Sequence, residues 1–92
     1  MLNVRAKTKW NMPSRSELPG SLHRNKFTKA LRRLGFLIDK SGGDGSHCKV
    51  TWPGTQKSIT IPQRLDKDVL YYVLKEIEQY SGITWDQIRQ EL

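Results

Sequence analysis

Two short runs of strict alternation, set on either side of a Pro-Gly pair, constrain this chain more than any other feature. In Ser46-His47-Cys48-Lys49-Val50-Thr51-Trp52 the apolar residues Cys48, Val50 and Trp52 occupy every second position. After Pro53-Gly54, the run Ser58-Ile59-Thr60-Ile61 repeats the pattern with Ile59 and Ile61. A period of two belongs to a strand with one apolar and one polar face, and the turn between the runs predicts an antiparallel hairpin. Upstream, Phe36-Leu37-Ile38-Asp39-Lys40 reads as a further strand with Phe36 and Ile38 facing one way. It is joined to the hairpin by the glycine-rich turn Ser41-Gly42-Gly43-Asp44-Gly45. The predicted sheet therefore has three antiparallel strands, an apolar face to bury and a polar face bearing His47, Lys49 and Thr51.

The flanking segments follow a helical period. Phe27, Leu31 and Leu34 stand at i, i+4 and i+7 with Ala30 in the same stripe, which predicts a helix over 23–34 with Ser21 as its N-cap and Gly35 as its stop. Arg24, Lys26, Lys29, Arg32 and Arg33 cover the rest of that helix and make a candidate phosphate-binding surface. Pro62 ends the third strand. Asp66 is placed to cap a second helix to about residue 80, on Leu70, Val73, Leu74 and Ile77, and Gly82 closes it. Thr84 and Gln87 have capping-box spacing for a short last helix with Trp85, Ile88 and Leu92 on one stripe. Packing the helices on the apolar sheet face gives an α+β fold of order α-β-β-β-α plus a short C-terminal helix. That is the arrangement of double-stranded-RNA-binding domains.

Length allows one small core: 92 residues make a single domain over 21–92, preceded by a basic arm or strap over 1–20 in which Trp10 either stacks on a base or anchors the strap, anchoring being the favoured role. The net charge of +7 is uneven. The first 33 residues carry nine Lys or Arg against the one acid Glu17, whereas residues 62–92 are net acidic. Such asymmetry points to a polyanion, nucleic acid before membrane. The lone Cys48 rules out an internal disulfide and a cysteine-based zinc site, and its strand position marks it as packing. No metal-ligand spacing stands out, so neither metal nor cofactor is expected. No apolar run reaches transmembrane length or resembles a signal peptide, which predicts a cytoplasmic protein with no membrane partner.

In order along the chain, Leu34-Gly35-Phe36, Gly45-Ser46-His47 and Ile59-Thr60-Ile61-Pro62 give the chain its resemblance to the HicA, or YcfA-like, family of type II toxin–antitoxin systems. The resemblance extends over about residues 21–92, the closing Gly82-Ile83-Thr84 included. It implies a double-stranded-RNA-binding-like fold and an mRNA endonuclease (interferase) that a HicB-type antitoxin neutralises. The toxin would be a monomer when free and a hetero-oligomer with the antitoxin. The family's catalytic histidine, the one in G-S-H, maps to His47. Two positions depart from the family pattern: Arg64 stands where "V-P-x-H" has a second histidine, and Lys67-Asp68-Val69-Leu70 replaces a "G-T-L" helix start.

On this reading His47 is the general base or acid of a metal-independent cleavage. Lys49, two residues on and on the same face, holds the phosphate as a point charge. Backbone N–H groups in the Gly42–Ser46 turn, Gly45 and Ser46 among them, cradle it, and Arg64, Lys26, Lys29 and Arg33 add charge along the RNA. By residue pattern alone, a histidine opening a strand on a polar face is more often plain surface than catalyst; the resemblance reverses that balance. His23, at the start of the first helix, has no partner in view and no role. The competing expectations are a non-catalytic RNA-binding module of the same fold and an inactive homologue that keeps only the antitoxin interface.

Overall fold

The computed structural model describes residues 12–40 and 48–92. A single 3-10 turn, Arg15–Glu17, leads into β1 (Ser21–His23), α1 (Arg24–Arg33), β2 (Leu37–Asp39), β3 (Cys48–Trp52), β4 (Lys57–Ile61), β5 (Arg64–Asp66), α2 (Lys67–Ser81) and α3 (Trp85–Glu91). Strands β2, β3 and β4 form the three-stranded antiparallel sheet in that order. Ile38 pairs with Val50 and Val50 with Ile59, so the alternating residues meet across the ladder as one apolar face. Cys48, Val50, Ile59 and Ile61 are all buried, while Lys49, Ser58 and Thr60 between them are exposed. A one-residue slip would invert that arrangement, and this fixes the register. The fold is α+β of order α-β-β-β-α.

Phe27 and Leu31 of α1, Leu70, Leu74 and Ile77 of α2, and Ile88 of α3 close over the apolar face and are fully buried with it in one core. Each helix end has a chemical cause. Gly35, at φ 110°, follows α1 in a backbone conformation that side chains resist. There the Gly35 N–H donates to Arg32 O and the Phe36 N–H to Leu31 O, both at 3.0 Å, the paired bonds of a Schellman stop. Asp66 caps α2, its Oδ1 accepting from the Val69 N–H at 2.9 Å, and Gly82 ends it at φ 78°. Thr84 and Gln87 form the reciprocal capping box of α3.

Two features differ from the sequence expectation. The N-cap of α1 is His23, not Ser21: the His23 ring accepts from the Asn25 N–H, while Ser21 lies two residues upstream in a strand. That strand belongs to a second, two-stranded sheet in which β1 pairs antiparallel with β5, Ser21 opposite Asp66, Leu22 opposite Leu65 and His23 opposite Arg64. Three residues a side are too few to show a period. The ribbon is held by Leu65, buried at 1% exposure, and by the half-buried Leu22.

Residues 12–20 lie against α2. Leu18 is part of the core and Met12 packs on it. The Arg15 guanidinium lies 4.6 Å from the Tyr71 ring centroid and 5.5 Å from that of Tyr72, donates to the Tyr72 hydroxyl at 3.3 Å, and pairs with Asp68 at 3.6 Å. The two tyrosines that stand off the apolar stripe of α2 thus hold an arginine of the same chain.

Candidate nucleic-acid interface

The sheet presents its polar face outward because the apolar residues of the same strands are used up by the core. On that face Lys49 is exposed in the middle strand, directly opposite Asp39 on β2 and Thr60 on β4. The carboxylate across the ladder was not foreseen as a neighbour of Lys49. Thr51 and Ser58, also opposed, share a hydrogen bond of 2.7 Å, so these hydroxyls satisfy one another.

The candidate catalytic residue His47, with Ser46, Gly45 and the rest of the glycine-rich turn, lies outside the described residues, as does Trp10. Cys48, the next residue along, is fully buried with a free thiol, in keeping with packing. Its partner across the ladder is Ile61. The start of β3 therefore stands beside the end of β4, from which the chain continues through Pro62 and Gln63 to Arg64.

The basic residues of α1 divide. Lys26 and Lys29 are exposed along one side of the helix. Arg33 is exposed too, but its guanidinium donates to the backbone carbonyl of Glu91 at 2.8 Å, tying α1 to the last turn of α3. A cation at a helix C-terminus satisfies an orphan carbonyl and the helix dipole together, so Arg33 is part of the framework. Arg64 lies outside α1. It sits on β5, exposed and opposite His23. His23 is the residue that sequence reasoning passed over; the signal for it, a histidine paired across a ribbon, exists only once residues 21 and 66 have met.

Among the described residues no group of three or more His, Cys, Asp or Glu side chains converges where a metal ion would bind, and no helix is long and apolar enough to cross a membrane. Among the described residues the large apolar side chains most open to solvent are Leu37, 61% exposed on β2, and Tyr72, 57% exposed on α2.

Neither a curated protein nor a solved structure gives a significant match to the chain. A family model does: that described as the HicA toxin of bacterial toxin–antitoxin systems matches residues 24–83, from the first residue of α1 to the loop before α3. The match takes in well over half of the chain, and the motifs that carry the resemblance in sequence, Leu34-Gly35-Phe36, Gly45-Ser46-His47 and Ile59-Thr60-Ile61-Pro62, all fall inside it. The chain belongs to the HicA toxin family of bacterial toxin–antitoxin systems.

Proposed function

We propose that the protein is a metal-independent endoribonuclease that cleaves mRNA, with His47 as its catalytic histidine, and that a HicB-type antitoxin neutralises it. Membership of a toxin family whose matched span contains the Gly45-Ser46-His47 motif carries this reading. The exposed polar face of the sheet supports it, with Lys49 two residues beyond His47.

The chemistry asks little of the protein. His47 takes the proton of a ribose 2′-hydroxyl, the 2′-oxygen attacks phosphorus, and the bond from phosphorus to the 5′-oxygen breaks. The departing oxygen takes a proton, leaving a 2′,3′-cyclic phosphate and a 5′-hydroxyl end. Lys49 contributes positive charge to the pentacoordinate phosphorane, the species in which negative charge is most concentrated. Backbone N–H groups of Gly45 and Ser46 suit the same oxygens, because glycine lets the phosphate approach the main chain. Lys26 and Lys29 extend the positive surface for the flanking nucleotides.

The test is incubation of purified protein with RNA in EDTA, comparing wild type with His47→Ala. Cleavage should fall by two or more orders of magnitude in the variant, as loss of a general base predicts. RNA left intact by the wild-type protein defeats the nuclease reading. RNA that is retained but uncut, equally by both proteins, would mark a binding module or an inactive homologue instead.

A further inference from the structure

The β1–β5 ribbon has two sides. Leu22 and Leu65 face the core, whereas His23 and Arg64 are both exposed on the other side. Directly opposed residues of an antiparallel pair have Cβ atoms about 5 Å apart, so the two side chains leave the ribbon from neighbouring positions and line the same cleft. A cleft of about 660 Å³ runs along the ribbon, lined by residues 20–23 on one strand and 63–66 on the other, and includes both His23 and Arg64. An adjoining cleft of about 290 Å³ is lined by His23, Arg24, Asn25, Gln63 and Arg64.

That smaller cleft holds two arginines, a histidine and two amides, with no carboxylate among them. Asp66, the acid on the larger cleft, has its Oδ1 engaged by the Val69 N–H at the start of α2. Lys40 adds a cation at the rim, its Nζ donating to Asn25 Oδ1 at 3.3 Å. The His23 ring is also oriented. Its Nδ1 accepts from the Asn25 N–H at 3.3 Å, which in the neutral ring puts the proton on Nε2 as a donor.

We propose that this cleft is a subsite for one backbone phosphate of the RNA, with His23 donating from Nε2 and Arg64 pairing with the phosphate oxygens through its guanidinium fork. The choice of RNA as the carrier of that phosphate rests on the ribonuclease reading. An acidic protein partner fits less well, because the lining offers no exposed apolar anchor of the kind that forms an interface core. Leu37 and Tyr72, the large apolar side chains exposed among the described residues, are not in it. In sequence Gln63 and Arg64 of the lining follow closely on Ile61, the ladder partner of Cys48, and Cys48 is next in sequence to His47, which suits a phosphate flanking the scissile one. Strand β1 precedes the span matched by the family model, so His23 is a contribution of this chain outside the matched pattern.

The test is binding of a short fluorescein-labelled single-stranded RNA to the full-length His47→Ala protein, by anisotropy over a range of salt. To this background are added, separately and together, Arg64→Gln and His23→Asn; asparagine preserves the N-cap of α1. Lys57→Gln, at the far end of the hairpin, controls for net charge. Each cleft variant should weaken binding about tenfold, as loss of a hydrogen bond to a charged group predicts, and Arg64→Gln should reduce the slope of log K against log salt by about 0.7. The double variant should lose less than the product of the two single losses. Thermal melts coinciding with the parent show that the variants are folded. Folded variants that bind RNA no worse than Lys57→Gln overturn the subsite. So do variants that lose only an acidic antitoxin protein, which would make the cleft a protein-docking surface. If the variants weaken binding but wild-type protein cuts no RNA, the subsite stands and the nuclease reading falls; the reverse result separates the two the other way.

Discussion

Trp52 shows how closely single residues are set in this small core. Its ring lies 4.9 Å from that of Phe36, and a Cβ built on Gly35 would come 3.3 Å from its Cζ3. Gly35 also holds φ at 110°, so an added side chain meets both backbone strain and an indole. Gly35→Ala should destabilise the protein by about 2 kcal/mol, read as a lower denaturant midpoint. Gly20→Ala, where nothing lies within 4 Å, should leave the midpoint nearly unchanged. The stop at Gly35 was legible in sequence because the left-handed conformation is a local demand of helix termination. The hairpin turn was legible only in part. Pro53-Gly54 marked its place, yet the left-handed residue is Gln56, at φ 58°. The Gln56 N–H donates to Trp52 O at 2.7 Å, and Trp52 pairs with Lys57 beyond it. The ladder closes around four turn residues, so closure decides which of them twists.

At the scale of elements, the strands of the main sheet and all three helices follow from side-chain period, since every burial contrast along them repeats within a few residues. The β1–β5 ribbon does not. Its two strands are separated in sequence by the whole sheet, and their pairing depends on Leu22 and Leu65 meeting over the core. The same holds for Arg15, whose stacking on Tyr71 and Tyr72 joins residues 12–20 to α2. Exposed cation–π contacts contribute about 0.5–1 kcal/mol, and the exposed pair with Asp68 adds little. Arg15→Ala should therefore lower stability by about 1 kcal/mol, with faster amide exchange in residues 12–20 as the local readout. An unchanged exchange rate there would show that Leu18 alone anchors the segment.

For the whole molecule, the family match ends before α3, yet α3 is part of the same core. Trp85 and Ile88 are buried in it, and Arg33 ties its last turn to α1. Ile88→Ala should cost about 2–5 kcal/mol, as much as Ile77→Ala inside the matched span. Both should melt in a single transition, because a domain this small has one cooperative core. A separate early transition for the Ile88 variant would make α3 an appendage. By itself the sequence determined the three strands of the main sheet, the helices, the caps of α2 and α3 and the sheet faces, because alternation, helical period and cap chemistry are each complete within a few neighbouring residues. Only the tertiary structure decided that Arg33 belongs to the framework, that Asp39 faces Lys49, and that His23 stands opposite Arg64. Those are meetings between distant parts of the chain, whose ordering entropy is offset only when the shared core forms.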